Sequence, residues 1–168
     1  MKRVIIGINT DFSDSLYRVA DAYVDCIIAA GGFPLIVPCH SGPEILEKYV
    51  EMADGFVFTG GSDYPPRYYG ARRGPEVRLM NARRAKADLY LAQAVLARKL
   101  PVLGVCGGQQ LINIALGGKL VQHLPNAADH QSVKQKNGRR KVIQHAIAIT
   151  GGKILRRLFG RKKIIVNS

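Results

Sequence analysis

Short apolar runs alternate with stretches of helical spacing along most of this chain. Residues 3–8 (R-V-I-I-G-I) form a continuous apolar run ahead of the polar stretch 9–15, the pattern of a strand buried on both faces. Leu16, Val19, Ala20, Tyr23, Ile27 and Ala30 then recur at helical spacing, and Gly31-Gly32 stops that helix. Residues 33–37 read as a second strand closed by Pro38. A short helix is predicted from Pro43 to about Met52, with the proline suited to a first turn. Residues 55–59 (G-F-V-F-T) make a third strand that runs into Gly60-Gly61. A long loop, 62–79, holds Pro65, Pro66, Gly70, Gly74 and Pro75; loops of this length in compact domains are usually functional or mobile. A helix over about 81–99 follows.

Residues 101–118, P-V-L-G-V-C-G-G-Q-Q-L-I-N-I-A-L-G-G, join the two patterns most sharply. The run 102–105 reads as a strand, and Leu111, Ile114 and Ala115 fall at the spacing of a buried helical face. Cys106 stands at the turn between them, followed by two glycines. A strand that reverses sharply into a helix pushes one side chain out over the end of the sheet. Small neighbours keep that crowded backbone possible, which is the logic of a nucleophile elbow. A helix N-terminus also favours thiolate over thiol, because its free N–H groups stabilise negative charge. The plainer reading, a small buried core cysteine, fits a glycine-flanked strand-to-helix junction less well.

Alternation of strand and helix predicts an α/β fold, a mostly parallel central sheet with helices on both faces. Beyond Gly118 the alternation weakens. Residues 119–124 read as a short strand, 126–141 as an exposed basic loop, and 142–149 (V-I-Q-H-A-I-A-I) as a strand with one wetter face. Residues 154–159 make a helical turn or two, and 164–167 a last strand. At 168 residues the chain is expected to form one domain with its own core. No apolar run approaches a membrane span, and the run 4–8 is too short for a signal-peptide core, so cytoplasmic residence is the default expectation. Cys26, Cys39 and Cys106 are odd in number and unclustered. Neither a disulfide framework nor a metal site is indicated, and no cofactor is expected. Cys26 reads as helix packing; Cys39, after Pro38 at a strand end, has room to be exposed.

The formal net charge is +13, and its placement matters more than its size. After Asp63 the acids are Glu76, Asp88 and Asp129; from His130 onward there are none, against eleven Lys and Arg. Nucleic acid or another anionic partner would fit such a surface. No nucleic-acid-binding motif accompanies the charge, so a solvated basic face is expected instead. The pairs Arg72-Arg73 and Arg83-Arg84 read in the same way, as solvated surface.

The segment G-V-C-G-G-Q-Q-L-I-N-I-A-L-G-G resembles the nucleophile motif of class I glutamine amidotransferase domains, and within them most nearly the γ-glutamyl-γ-aminobutyrate hydrolase group. Y-V-D-C-I-I-A-A-G-G-F-P-L-I-V-P (23–38), F-T-G-G-S-D-Y-P-P-R-Y-Y-G (58–70), L-G-G-K-L-V-Q-H-L-P (116–125), H-A-I-A-I (145–149) and I-V-N-S (165–168) extend the likeness in order along the chain. The resemblance implies a flavodoxin-like three-layer sandwich and a Cys-His-Glu triad that hydrolyses a small γ-glutamyl amide through a thioester. By position, Cys106 matches the nucleophile. The backbone N–H of Gly107 and one from Gly60 or Gly61 match the oxyanion hole, and Gln110 matches a glutamine that lines the substrate pocket. Backbone donors fixed where negative charge develops stabilise a tetrahedral intermediate by about 3 kcal/mol each. Asp63 and Tyr64, just after the glycine turn, sit where the pocket mouth is expected, with Asp63 either touching substrate or capping the loop.

Gly107 stands where that group usually has arginine, and Gln109 where it has methionine. In the family, histidines follow the V-N-S segment, and the triad His and Glu lie in a later W-H-P-E-like motif. Neither falls within these 168 residues. The resemblance therefore implies a nucleophile without its matching base, little or no activity from this chain alone, and a sheet incomplete at its C-terminal side. An exposed edge or apolar face is then expected, to be covered by a partner, a second copy or an exchanged strand. Of the histidines, His40 ends the second strand and is expected on the same sheet edge as Cys106, while His123, His130 and His145 match positions outside the triad. Two further readings stand beside the hydrolase: a non-catalytic binding or assembly protein of the same fold, and an amidotransferase subunit delivering ammonia to a synthetase.

Overall fold

The structure, a computed structural model, describes residues 3–40, 42–124, 133–134, 140–141, 143–150, 152–160 and 163–167. The chain divides into two compact units, Met1–Gln122 and His123–Ser168.

The first unit begins with β1 (Ile5–Asn9), a hairpin of β2 (Asp11–Ser13) and β3 (Leu16–Arg18), and α1 (Asp21–Ala29). It continues through β4 (Phe33–Val37), α2 (Pro43–Met52), β5 (Gly55–Phe58), α3 (Ala82–Ala97), β6 (Val102–Gly104) and α4 (Gly107–Ala115). Strands β4, β1, β5 and β6 lie side by side in that order, all parallel. Along the chain this is second-first-third-fourth, the doubly wound flavodoxin-like order. The order reverses between β1 and β5, so the crevice for a ligand opens at the carboxyl ends of those strands.

The two-residue period of the strands sorts their side chains into two layers. Leu35, Val37, Phe56, Phe58 and Val102 pack with Leu46 and Val50 of α2, Leu91 and Val95 of α3, and Leu111 and Ile114 of α4. The Phe56 and Phe58 rings lie 5.9 Å apart. Burying a side chain of this size contributes about 1.5–3 kcal/mol. The other layer is thinner. Val4, Ile6, Val57, Leu103 and Val105 line an apolar groove of about 710 Å³ with Ile27 of α1, and Leu103 remains 60% exposed.

Two expected elements of the first unit differ, and in the second unit the stretch 126–141, expected as a loop, holds a pair of short strands. The helix expected from Leu16 begins only at Asp21, because Asp14 and Ser15 take positive φ angles of 51° and 59° and close a two-residue hairpin in which Ser13 pairs with Leu16. Positive φ at both loop positions is the twist that suits a hairpin. The strand expected over 119–124 does not form. There Gln122 accepts from the Gly74 N–H at 2.7 Å and donates to the Arg72 carbonyl at 2.8 Å, holding the long loop.

In the second unit, β7 (Val133–Lys134) pairs with β8 (Arg140–Lys141), and β9 (Gln144–Ala148) pairs with β10 (Lys163–Asn167), both antiparallel. Helix α5 (Lys153–Phe159) connects β9 to β10. His130 and most of the segment 126–141 lie outside the described residues.

The hairpin yields a stability prediction. Asp14 and Ser15 occupy a conformation that Asn-Gly adopts without strain. The double change D14N/S15G relieves positive-φ strain of about 1–2 kcal/mol per residue. Loss of the exposed Asp14–Arg18 pair at 3.0 Å and the greater unfolded freedom of glycine partly offset that gain. Unfolding stability is therefore expected to rise by about 0.5–1 kcal/mol, read as a higher urea midpoint at constant m.

Candidate active site

Cys106 lies between β6 and α4 with φ 51° and ψ −111°, and it is exposed. A non-glycine residue held there stores about 1–3 kcal/mol of strain. Its surroundings fix it on both sides. The Val105 N–H donates to the Phe58 carbonyl at 3.0 Å, the Gly108 N–H to Val105 at 2.9 Å, and the Gln109 and Gln110 N–H groups to the Cys106 carbonyl at 3.0 and 3.2 Å. The helix reaches this position only because the crossing is free of side chains. A Cβ on Gly104 would meet the Gln109 nitrogen at 2.5 Å, and one on Gly108 would meet the Phe58 carbonyl oxygen at 2.0 Å.

The turn after β5 faces this elbow. A Cβ placed on Gly60 would stand 3.5 Å from the Cys106 Cβ, and one on Gly107 would stand 3.2 Å from the Gly61 nitrogen. The Gly60 N–H donates to the Tyr23 hydroxyl of α1 at 3.0 Å. Among the described residues, the N–H groups of Gly61 and Gly107 make no hydrogen bond. A cleft of about 370 Å³ lies beside the turn, lined by Arg18, Tyr23, Thr59, Gly60 and Arg84.

A buried polar network holds the turn from beneath. Arg84 is 1% exposed and Asp88 0%, one turn apart on α3 and joined through Nε to Oδ2 at 3.1 Å. Arg84 Nη2 donates to the Gly60 carbonyl at 2.8 Å and to Thr59 Oγ1 at 3.1 Å, and Nη1 pairs with Asp11 at 3.3 Å. Asp88 accepts from Asn9 Nδ2 and from the Tyr64 hydroxyl, each at 2.8 Å. Asn9 in turn accepts from the Thr59 N–H at 2.7 Å. Burial works against the charge on Arg84, but Asp88, Tyr64 and Asp11 outweigh it and hold its pKa above the usual value. Burial also raises the Asp88 carboxyl, while the Arg84 charge and the donors from Asn9 and Tyr64 pull it back. Two N–H donors and one O–H donor converging on Asp88 match an ionised carboxylate.

The other residues singled out in the sequence fall as follows. Gln110 occupies the first turn of α4, half-buried. Asp63 clamps the long loop: its N–H donates to the Arg78 carbonyl at 2.8 Å, and its carboxylate accepts from the Arg78 N–H at 2.7 Å. His40 follows β4, at the same carboxyl edge as Cys106. Strands β1 and β5 intervene, so three strand spacings, about 14 Å, separate β4 from β6. Its Nδ1 accepts from the Gly42 N–H at 3.0 Å. Cys39 is buried, not exposed, and burial raises its thiol pKa. Cys26, expected as helix packing, is instead exposed along the apolar groove.

The reading of Arg83-Arg84 as solvated surface is overturned. Besides the burial of Arg84, the Arg83 guanidinium lies over the rings of Phe12 and Tyr17 at 4.6 and 5.3 Å and donates to the Cys39 carbonyl at 2.9 Å. Arg83 thereby pins the β2–β3 hairpin. The signal available for Arg84 was Asp88 at i+4, a pairing distance on a helix.

Among the described residues, no group of three His, Cys, Asp or Glu side chains is placed to hold a metal, and no helix is long and apolar enough to cross a membrane.

The fold and this junction define a flavodoxin-like α/β protein with a cysteine elbow set against a glycine turn. The chain belongs to the Peptidase C26 family, whose profile matches residues 5–168. It is 31% identical over 142 residues to "Putative glutamine amidotransferase-like protein RP404" of Rickettsia prowazekii, covering 78% of this chain and 50% of that protein. It is 36% identical over 123 residues to "Putative glutamine amidotransferase Rv2859c" of Mycobacterium tuberculosis, covering 73% and 40%. To gamma-glutamyl-gamma-aminobutyrate hydrolase PuuD of Escherichia coli K12 it is 30% identical over 116 residues, covering 66% and 45%. The chain spans about half the length of these relatives.

Two predictions follow from the geometry. Gly108→Ala drives a methyl into a strand carbonyl that has no room to move, so it is expected to cost 2 kcal/mol or more, about the upper range of overpacking changes, measured by urea unfolding. The second concerns Tyr64, whose phenol is pushed far up by burial and by the neighbouring Asp88. The unfolded phenol ionises near pH 10, at about its ordinary pKa, while the native one does not. Its stabilising contribution is therefore whole below that pH and is lost as pH rises above it. Tyr69, also buried, is pushed up as well. In a spectrophotometric titration a delayed tyrosinate component is therefore expected together with alkaline unfolding, and Tyr64→Phe is expected to reduce it by one tyrosine.

Proposed function

We propose that this chain carries the acyl-accepting half of a γ-glutamyl amide hydrolase. The observation that supports the reading most strongly is the exposed, positive-φ Cys106 at the N-terminus of α4, packed directly against the Gly60-Gly61 turn. Membership of the Peptidase C26 family and the likeness to a protein named gamma-glutamyl-gamma-aminobutyrate hydrolase point to the same substrate class. In this reading the Cys106 sulfur attacks the γ-carbonyl carbon of a small γ-glutamyl amide. The resulting oxyanion accepts hydrogen bonds from the free N–H groups of Gly61 and Gly107, the Gly60 N–H being engaged by Tyr23. The C–N bond then breaks, the amine leaves with a proton, and water hydrolyses the glutamyl thioester. Gln110, in the first turn of α4, is assigned to the pocket wall.

Such chemistry needs a proton acceptor that later serves as donor. The single histidine of the unit Met1–Gln122, His40, is separated from the elbow by two strands, and the reading does not give it the base's role. Covalent capture tests the half-site without requiring that base. A glutamine-like diazoketone and iodoacetamide are both expected to label Cys106 first. Cys26 should follow slowly, and Cys39 should be protected until the protein unfolds. Equal labelling of Cys106 and Cys26 contradicts an activated elbow. Labelling by iodoacetamide alone favours a non-catalytic protein of the same fold.

A further inference from the structure

We infer that Arg84 is a positioning residue that polarises the peptide between Gly60 and Gly61, and so strengthens the Gly61 N–H as an oxyanion donor. The inference rests on the reading of Gly61 as such a donor. It comes from a geometric fact independent of that reading. The carbonyl of Gly60 and the N–H of Gly61 belong to one planar peptide unit, so a hydrogen bond accepted at one end polarises the other. The group bonded to that carbonyl is a guanidinium at 2.8 Å, 1% exposed and thus little screened by water.

The guanidinium has no freedom to leave. Its Nε is tied to Asp88 at 3.1 Å, Nη1 to Asp11 at 3.3 Å, and Nη2 also to Thr59 Oγ1 at 3.1 Å. The planar fork serves three directions from one rigid group, which a lysine ammonium on a flexible stem does not reproduce. Asp88 is itself fixed by Asn9 and Tyr64, so the charge is oriented by β1, by the long loop and by α3 together. A Cβ on Gly61 would meet Arg84 Nη1 at 2.5 Å. The second glycine of the turn is thereby explained: the guanidinium fills the space that any side chain there would need.

A purely structural role and a polarising role make different predictions for two reactions at the same sulfur. Alkylation by iodoacetamide passes through no oxyanion. Addition of Cys106 to a γ-glutamyl aldehyde forms a C–S bond, moves the carbonyl electron pair to oxygen, and places that oxygen on the donors. The test compares the wild type with Arg84→Lys, which keeps the charge, and with the paired R84M/D88L variant, which leaves no buried charge unpaired. Each variant is first checked for cooperative unfolding and for protection of Cys39. In folded variants, aldehyde affinity is expected to fall about tenfold or more, part of the 10²–10³ that removing an oxyanion donor costs. Iodoacetamide labelling is expected to change less than twofold. In parallel, the amide proton of Gly61 is expected to shift upfield in the NMR spectrum of the variants, as its peptide loses polarisation. Equal losses in both reactions, or an unmoved Gly61 resonance, would overturn the inference. A wild type that binds no aldehyde while its Gly61 proton still responds to Arg84 would leave the polarisation standing and refute the hydrolase reading instead.

Discussion

The buried ion pair between Arg84 and Asp88 is the constraint on which the rest of the site depends. Two charges with almost no contact with solvent are costly unless every donor and acceptor is matched, and removing one partner from such a pair costs about 3–5 kcal/mol. Here the matching is done by groups from separate elements: Asn9 from β1, Thr59 and Gly60 from the end of β5, Tyr64 from the long loop, and Asp11 from the hairpin. The network ties strand ends to helix α3 at the point where the sheet changes direction. Its satisfaction fixes the turn that faces Cys106.

The elbow depends on a second constraint, close approach of backbone to backbone. Helix α4 crosses β5 and β6 where Gly104 and Gly108 remove the side chains that would hold them apart. That contact keeps Cys106 in a conformation it would not adopt alone. Dispersion and hydrogen bonding along the crossing offset the local strain. The two constraints act on opposite sides of one gap, the network beneath Gly60-Gly61 and the packed crossing beneath Cys106. The backbones of Gly61 and Gly107 come together between them.

Much of this was legible in the sequence, and the parts that were not share a cause. The apolar runs marked β1, β4, β5 and β6, and helical spacing marked α4 and the body of α1, because periodicity reports burial directly. The elbow was visible because Cys106 with two glycines sits where one period gives way to the other. The burial of Arg84 was not legible: Asp88 at i+4 marks a pair along the helix, but not the tertiary acceptors that take the pair out of solvent. Strand order was equally hidden. It sets two strands between His40 and the elbow's strand, although both residues lie at the carboxyl edge. The β2–β3 hairpin was missed because Asp14-Ser15 lacks the glycine that usually marks such a turn. Cys39 stands at a strand end yet belongs to the buried core, its backbone held by Thr10 and Arg83, partners that only the tertiary structure supplies.

In the proposed reaction the Cys106 sulfur accepts a glutamyl group opposite the Gly60-Gly61 turn. Acid quenching after brief mixing with a γ-glutamyl p-nitrophenyl ester tests it most directly, because that leaving group departs without a proton and so needs no general acid. Peptide mass spectrometry is expected to find the glutamyl thioester on Cys106, and to find it lost in Cys106→Ala. Acylation spread equally over Cys106 and the exposed Cys26, or no acylation of Cys106, would contradict the account.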